Sequence, residues 1–481
     1  MNLEPDICYA AMQSRDTRFD GVFFVGVSST GIFCRPVCTV RLPRRDRCTF
    51  YANAASAEAA GYRPCLRCRP ELAPGTSRID AVSRTAARAF TRIDAGALTD
   101  GSLETLAAEL GLGARQLRRV VEQAYGVSPV QLAQTRRLLL AKQLIADTRL
   151  PMSEVAFAAG FSSVRRFNHL FQLRYGMNPT AMRRGAQPAE DGRIVLKLGY
   201  RPPLHWDGLA GFLASRGATA VERVDGGVYR RTVQVGDITG WLQAEPEPGR
   251  DQLRLTVSDT LVPVLRHLLA GVRHLFDLNA SPAVIDEHLG GDPLMAGFVR
   301  RAPGLRIPGA LDGFEVALRA ILGQQISVKA ATTVFGRFAT TFGRPVVTPW
   351  PELNRAAPTA EILADAGLQQ IIDQGLTQRR ARTIQALARE VADGSLVLTP
   401  SADVEPTQQA LLALPGIGPW TVQYLTMRAL GQPDALPESD LGLLRAAGCD
   451  RPAELLTRAE AWRPWRSYAA MHLWQSLALS D

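Results

Sequence analysis

This 481-residue chain contains few lysines, few histidines and no long apolar run. Because no stretch of about 18 apolar residues occurs, we expect no membrane-spanning helix. The first residues, MNLEPDICYAAMQSRD, are acidic and interrupted by Pro5, unlike a secretory signal, so we expect a cytoplasmic protein with reduced thiols. The only lysines are Lys142, Lys197 and Lys329, so nearly all positive charge is arginine.

That positive charge is unevenly distributed. Hydrophobic residues make up 46% and charged residues 21% of the chain, which is globular composition, and the length favours about three or four domains. Residues 1–187 contain 26 Lys+Arg and 15 Asp+Glu, a net charge of +11, whereas residues 188–481 contain 29 and 31, a net charge of −2. A basic front half favours a polyanionic partner, although high arginine usage alone decides little.

Four of the seven cysteines form two close pairs, Cys34 with Cys38 and Cys65 with Cys68. Short spacing within pairs and a longer gap between them suit a tetrahedral four-cysteine Zn²⁺ site. No histidine precedes His169, so a mixed site is excluded in this segment. On spacing alone, a purely structural zinc knuckle is the favoured interpretation.

The residues around these cysteines resemble the N-terminal domain of the Ada-type adaptive-response regulators over about residues 1–75. The resemblance rests on TGIFCRPVC at 30–38, FYAN at 50–53 and GYRPC at 61–65. It implies that Cys34 accepts a methyl group from a DNA phosphotriester. Methylation would remove one negative charge from a zinc site of about −2, and DNA affinity should rise. The resemblance also implies DNA-backbone contacts, for which solvated surface is the alternative, at Thr30, Arg41, Arg63 and Arg67.

An internal repeat with an offset of about fifty residues follows the cysteines. SLETLAAELGLGARQLRRVVEQAYGVSP begins at Ser102, and PMSEVAFAAGFSSVRRFNHLFQLRYGMNP begins at Pro151. Each copy is typical of a helix, a glycine-containing turn and a second helix. The second helices are predicted at 114–124 and 163–174. They present candidate DNA-reading side chains, namely Arg115, Gln116, Arg118, Arg119, Arg165, Arg166, Asn168 and His169.

The repeat resembles the AraC-type DNA-binding domain, most distinctively in GFSS at 160–163 with Phe167 and Phe171. We expect those two phenylalanines to pack in the core because they stand four residues apart. A solvated helix face remains the alternative for any single arginine. Two helix-turn-helix units can span adjacent major-groove turns without dimerisation, so we expect a monomer.

A polar, Gly/Pro-bearing linker is predicted at 184–192. Alternating apolar and polar residues predict strands at 194–198, 218–224, 227–235, 239–244 and 252–257, with helices at 206–215 and 261–276. The pattern indicates a small antiparallel sheet with helices on one face. From about Asp286 onward, amphipathic helices with short loops are predicted.

The segment ALLALPGIGPWT at 410–421 has the helix-hairpin-helix signature, in which Gly416 and Gly418 let the backbone approach a DNA phosphate. Alone, this motif indicates only sequence-independent DNA binding. Asp440 follows Gly418 by 22 residues, the spacing of the catalytic aspartate in helix-hairpin-helix glycosylases. The alternative role for Asp440 is to cap a helix beginning at Leu441, and one carboxylate can do both.

Residues of about 190–481 resemble the bacterial DNA-3-methyladenine glycosylase of the inducible type. The match includes LHW at 204–206, GFL at 211–213, LFDL at 275–278, RAILGQQISV at 319–328, SDL at 439–441 and WRPWRSYA at 462–469. It implies that Asp440 is catalytic and that an aromatic pocket binds the cationic base. Gln325 stands at the wedge position, where the best-known member has leucine. The implied substrate-binding residues, of which the aromatic ones could instead be plain core, are Phe212, Gln324, Gln325, Trp420, Tyr424 and Trp474.

Three absent features limit the expected chemistry. Trp420 occupies the position of the Schiff-base lysine of glycosylase–lyases, so hydrolysis without strand cleavage is expected. Cys449 is alone near the C-terminus, so no iron–sulfur cluster is expected. No PCHR motif occurs, so direct repair of O6-methylguanine is not predicted.

The sequence therefore predicts a multidomain α+β protein in four parts. These are a four-cysteine zinc-binding methyl-acceptor domain at 1–76, an all-α double helix-turn-helix domain at 77–187, a small antiparallel α+β domain at 188–285 and an all-α helix-hairpin-helix glycosylase domain at 286–481. The predicted partners are double-stranded DNA, both alkylated DNA and promoter sites, and RNA polymerase. The rival hypotheses are a transcription regulator with a catalytically silent glycosylase-like half, and a glycosylase whose front half is only a tether.

Overall fold

The computed structural model describes residues 4–75, 84–183 and 192–478, and the chain divides into two compact units. The first unit comprises residues 1–202, 246–270 and 278–281, and the second comprises 203–245, 271–277 and 282–481. The predicted linker at 184–192, except Gly192, and the predicted boundary after residue 76 lie outside the described residues. Within the described ranges, no helix is long and apolar enough to cross a bilayer.

The first unit begins with a small four-stranded sheet, in which Cys34 ends a strand and Cys65 directly follows another. Its strands are β1 (Phe24–Val27), β2 (Ile32–Cys34), β3 (Cys48–Tyr51) and β4 (Arg63–Pro64), in the order β3-β1-β2-β4. Val25 pairs with Cys34 and with Phe50 in antiparallel register, whereas β4 runs parallel to β2. Helices α1 (Pro5–Ser14) and α2 (Ala54–Ala59) accompany the sheet.

Eight helices follow and confirm the predicted double helix-turn-helix. They are α3 (Arg84–Ala95), α4 (Ala97–Asp100), α5 (Leu103–Glu109), α6 (Ala114–Tyr125), α7 (Pro129–Asp147), α8 (Met152–Ala158), α9 (Val164–Tyr175) and α10 (Pro179–Met182). Gly111 and Gly160 make the two turns with φ of +70° and +88°, a conformation that side chains disfavour. Phe167 and Phe171 are fully buried, as predicted from their spacing.

A pair of antiparallel strands from later in the chain completes the first unit. Strand β5 (Arg193–Gly199) pairs with β9 (Gln252–Ser258), with Leu196 opposite Leu255. The Gln143 side chain on α7 donates to the Lys197 carbonyl at 2.8 Å. The buried guanidinium of Arg201 donates to the carbonyls of Gly75 and Asn279 at 2.8 and 2.9 Å.

The second unit is mostly helical, and its described part from Asp286 onward consists of helices and connecting loops, as predicted. A three-stranded antiparallel meander, β6 (Glu222–Asp225), β7 (Val228–Val235) and β8 (Ile238–Pro246), follows α11 (Trp206–Arg216). The later helices are α12 (Leu265–Leu275), α13 (Pro282–Gly290), α14 (Met295–Arg301), α15 (Gly313–Leu322), α16 (Val328–Phe342), α17 (Ala360–Asp365), α18 (Leu368–Ile372), α19 (Gln378–Ala392), α20 (Val404–Ala413), α21 (Pro419–Arg428), α22 (Leu441–Ala447), α23 (Pro452–Ala459) and α24 (Arg466–Ala478). Apolar faces of α15, α16, α19 and α21 share one core.

Two predicted elements differ from the structure. The strand predicted at 218–224 begins only at Glu222, because the amides of Val221 and Glu222 both donate to the Ala218 carbonyl and form a turn. The helix predicted at 261–276 is divided into a 3-10 segment, Asp259–Val264, and α12. Pro263 lies inside the 3-10 segment and has no amide hydrogen to donate.

Helix α2 links the cysteine-bearing sheet to the ends of α6 and α9. The side chains of Asn53 and Ser56 both donate to the Tyr125 carbonyl at 2.9 and 2.6 Å. The Glu58 carboxyl is buried, and the hydroxyl of Thr135 donates to it at 2.7 Å. Burial raises the pKa of Glu58 to about 7, against the lowering influence of Thr135 and Arg174.

We expect Glu58→Gln to stabilise the first unit above neutral pH. Because the folded pKa of Glu58 is raised, the folded state binds more protons than the unfolded state between about pH 4.5 and 7, and stability falls as pH rises through that window. Glutamine keeps an acceptor for Thr135 and cannot ionise. Thermal unfolding at pH 8 should occur at a higher temperature in the variant, by the equivalent of about 1–3 kcal/mol. At pH 4.5 the difference should vanish.

The exposed Glu154 provides a matched control, since Glu154→Gln removes a carboxylate from the same unit without relieving burial. Parallel pH dependence of the unfolding temperature in wild type and Glu58→Gln would contradict the interpretation.

Candidate functional sites

A cavity of about 310 Å³ lies within the second unit. Its lining includes the predicted residues Trp420, Tyr424, Asp440 and Trp474. Phe212 adjoins the cavity, with its ring centroid 6.4 Å from that of Trp474. Sequence elements more than 200 positions apart are therefore brought together around a space of the size that takes small organic ligands.

Asp440 is fixed by three N–H donors from three helices. It caps α22, where the amide of Leu443 donates to Oδ1 at 2.9 Å. The indole of Trp474 on α24 donates to the same oxygen at 3.0 Å, and the indole of Trp420 on α21 donates to Oδ2 at 2.9 Å. The capping role is therefore present, and it coexists with a position on the cavity wall.

The aromatic rings form two walls around this carboxylate. Trp420 and Tyr424 stand four residues apart on α21 and stack with centroids 5.2 Å apart at an interplanar angle of 9°. Trp474 meets Tyr424 edge-on, with centroids 6.2 Å apart at 64°. Such electron-rich faces favour a flat, cationic guest.

Two arginines also line the cavity, and sequence reasoning missed both. Arg428 donates to the Tyr424 hydroxyl at 2.8 Å and to the carbonyls of Pro308 and Gly309 at 2.7 and 3.0 Å. The guanidinium carbon of Arg216 lies 3.7 Å from the centroid of the Phe212 ring. Burial alone would raise the pKa of Tyr424, but the charges of Arg428 and Arg216 outweigh it, and the pKa is lowered.

A buried ion network also contributes to the cavity wall. Arg231 pairs with Glu315 at 2.7 Å, and Arg319 pairs with Glu315 and Glu222, each at 2.8 Å. Burial opposes ionisation of Glu315, but Arg231 and Arg319 outweigh it and lower its pKa to about 2. Two positive and two negative groups therefore balance in this network and leave it no net charge.

The predicted hairpin and wedge residues lie outside the cavity lining. Gly416 adopts φ of +87°, and a Cβ there would approach Thr383 Oγ1 to 2.5 Å, while Gly418 caps α21. The Gln324 side chain donates to the Gly416 carbonyl at 3.0 Å, so it supports the hairpin from behind. Gln325 is exposed and adopts φ of +60°, an uncommon conformation for a residue with a side chain.

In the first unit, the four paired cysteines converge. The sulfur atoms of Cys34, Cys38, Cys65 and Cys68 lie within 4.8 Å of one another. A tetrahedral metal with sulfur bonds of about 2.3 Å has sulfur–sulfur edges of about 3.8 Å, so the cluster fits Zn²⁺. The Arg35 amide donates to the Cys68 sulfur at 3.4 Å, and its guanidinium is paired with the buried carboxylate of Asp20.

The twelve side chains predicted to contact DNA in the front half are all exposed. They are Thr30, Arg41, Arg63 and Arg67 near the cysteines, and Arg115, Gln116, Arg118, Arg119, Arg165, Arg166, Asn168 and His169 on α6 and α9. Within the described part of the chain, none of the eight arginines forms an ion pair, so each guanidinium is available to a phosphate or a base edge.

Family models match four consecutive segments. Residues 7–71 match the metal binding domain of Ada, 106–185 a helix-turn-helix domain, 195–312 the AlkA N-terminal domain, and 318–466 the HhH-GPD superfamily of base excision DNA repair proteins. The chain thus combines an Ada-type metal-binding and helix-turn-helix regulator with a helix-hairpin-helix base excision repair protein.

Similarity to curated proteins extends over nearly the whole chain. A Mycobacterium tuberculosis protein, the probable bifunctional transcriptional activator/DNA repair enzyme AlkA, is 42% identical over 98% of this chain and 96% of its own length. The chain belongs to this family of bifunctional transcriptional activator/DNA repair enzymes. The Escherichia coli DNA-3-methyladenine glycosylase 2 is 37% identical over 58% of this chain and 95% of its own length.

Among solved structures, a 3-methyladenine DNA-glycosylase from Archaeoglobus fulgidus shares the fold of the back half. It has a TM-score of 0.52 at 21% identity and covers 59% of this chain and 99% of its own.

We expect the purified chain to bind one Zn²⁺ and to lose most of it when a clustered cysteine is replaced. Cys38→Ser or Cys65→Ser removes one of four thiolate ligands, which weakens the site steeply. Elemental analysis of the purified variants checks this. Cys48→Ser is the control, since Cys48 lies in the same core but outside the cluster and its sulfur contacts the Arg44 carbonyl. Equal zinc loss in the control would contradict the assignment.

Proposed function

We propose that the second unit hydrolyses the N-glycosidic bond of alkylated purines, such as 3-methyladenine, in DNA. The observation that carries this proposal is the Asp440 carboxylate, which three N–H donors hold against an aromatic-walled cavity. The sugar gains positive charge as the base leaves, and a fixed carboxylate stabilises it. Because Asp440 is oriented before substrate arrives, little reorganisation opposes the reaction.

The base would be turned out of the duplex and received between the aromatic faces. Phe212, Trp420, Tyr424 and Trp474 offer stacking surfaces, which favour electron-poor alkylated purines. Gln325 stands out from the surface on a left-handed backbone, a position from which a side chain can fill the gap in the duplex. Gly416 and Gly418 would let the hairpin backbone contact a phosphate, with Gln324 supporting it.

We further propose that base release occurs without strand cleavage. Glycosylase–lyases require a lysine amine at the reacting sugar. In the described lining of the cavity there is no lysine, and Trp420 occupies the corresponding position of the hairpin helix. The product would then be an intact strand with an abasic site.

For the first unit we propose methyl transfer from a DNA methylphosphotriester to the Cys34 sulfur. Bound Zn²⁺ would keep the four sulfurs as thiolates and so supply a nucleophile at neutral pH. Cys34 borders a cavity of about 50 Å³ with Cys38 and Arg35. The exposed Thr30, Arg41, Arg63 and Arg67 would hold the phosphate backbone, and loss of one negative charge on methylation would strengthen that contact.

Promoter recognition would be the task of α6 and α9. Their exposed, unpaired arginines suit major-groove readout, and one chain carries two such helices. We propose that the protein binds DNA as a monomer and acts on transcription through RNA polymerase.

The first test measures base release from alkylated duplex DNA by wild type and Asp440→Asn. Asparagine keeps an oxygen for capping but loses the charge, so we expect release of 3-methyladenine to fall at least about hundredfold, as for other electrostatic groups in active sites. Treating the product with alkali should be necessary for strand cleavage. Absence of release by wild type, with DNA binding intact, would instead favour a regulator with a silent back half.

The second test addresses the first unit separately. Wild type incubated with methylphosphotriester DNA should gain one methyl group by mass spectrometry, located on Cys34. Cys34→Ser should gain none while retaining base release, and Cys449→Ser, in the other unit, should behave as wild type. Methylation of Cys38, Cys65 or Cys68 in wild type would contradict the assignment of Cys34.

A further inference from the structure

The half-buried Arg216 and the buried Arg428 differ from the other two arginines that line the cavity. Arg231 and Arg319 are paired with Glu222 and Glu315. In the described structure, Arg216 has no carboxylate partner: its guanidinium donates to Ser215 Oγ at 2.9 Å and lies over the Phe212 ring. Arg216 therefore presents its charge to the cavity without a carboxylate partner among the described residues, where it can act on a bound ligand.

The described charges that act on Arg216 include one further cation, Arg428, and one anion, Asp440. Arg428 is held by a hydroxyl and two carbonyls, all neutral acceptors, so its charge adds to that of Arg216. Asp440 is the nearby anion and already accepts three hydrogen bonds. Burial lowers the pKa of Arg216, and Arg428 lowers it further while Tyr424 and Asp440 oppose the change. Guanidinium remains protonated in proteins, so Arg216 brings a positive charge to the wall of the cavity.

A positive charge at the cavity wall favours the departure of one class of base over another. When the C1′–N bond of a cationic base breaks, the bonding electron pair neutralises the base itself. When the bond of a neutral base breaks, the electron pair makes the base an anion, which then takes a proton from solvent. In both reactions, water bonds to C1′ and loses its proton through Asp440 to solvent. Only the neutral base therefore needs positive charge beside it in the transition state.

We propose that Arg216 is a specificity-determining residue that extends base excision to uncharged damaged purines by stabilising the negative charge on the departing base. This inference rests on the proposed glycosylase function. The Arg216 charge therefore has opposite effects on the two kinds of base. It stabilises an anionic leaving base, and it repels a cationic base that is bound in the cavity. Stacking on Phe212 keeps the guanidinium in place before the base enters.

The test compares single-turnover release of a neutral and a cationic base by the full-length chain. Duplexes carrying hypoxanthine or 7-methylguanine serve as the two probes. We expect Arg216→Gln to lower the ratio of hypoxanthine release to 7-methylguanine release at least about tenfold, because glutamine keeps hydrogen-bonding groups but removes the charge. Arg216→Lys should recover much of the ratio, since it retains the charge, and it also guards against misfolding of the glutamine variant.

Arg300→Gln is the matched control, because it removes an exposed positive charge from the same unit away from the cavity lining, and its ratio should equal that of wild type. An unchanged ratio in Arg216→Gln, with both bases released by wild type, overturns the role of Arg216 alone. Release of only the cationic base by wild type would also overturn the role of Arg216 alone. Release of neither base overturns the proposed glycosylase function together with this inference.

Discussion

The carboxylate of Asp440 connects three helices of the second unit, α21, α22 and α24, through hydrogen bonds. One oxygen begins α22 by capping it and also receives the Trp474 indole, while the other receives the Trp420 indole. A planar indole whose N–H must reach a fixed oxygen has little freedom to turn, so the carboxylate also sets the direction of the aromatic faces. The position of the carboxylate and the orientation of the two indole rings therefore depend on the same three hydrogen bonds.

The two units differ in how the charged side chains of their candidate sites are accommodated: by buried ion pairs in the second unit and by exposure to solvent in the first. In the second unit, the buried groups Arg231, Arg319, Glu222 and Glu315 neutralise one another, as desolvation requires. On the surface of the first unit, the arginines of α6 and the first two arginines of α9, Arg165 and Arg166, are exposed without ion pairs in the described residues. Water screens those surface charges at little cost, so they stay available for a polyanion.

Sequence alone identified the residues whose chemistry is rare or whose spacing is diagnostic. Cysteine pairs, the repeated helix-turn-helix and the hairpin glycines each have a local signature, and the cap at Asp440 follows from the helix behind it. Arg216 and Arg428 were missed because arginine is abundant in this chain and neither lies in a motif that marks a pocket. Their position beside the cavity follows only from the packing of α11 and α21 around it. The left-handed backbone conformation of Gln325 was likewise missed, because a glutamine in the sequence gives no indication of a positive φ.

The strand pair β5 and β9 shows that the compact units of the structure do not follow the order of the sequence segments. Both strands fall after the regulatory segments, yet they fold with them, and Arg201 and Arg266 satisfy carbonyls of Gly75 and Ile93. Splitting the gene between its two halves would leave these carbonyls and the adjoining apolar faces uncovered in the regulator. Separating the two activities would therefore require that surface of the first unit to be rebuilt.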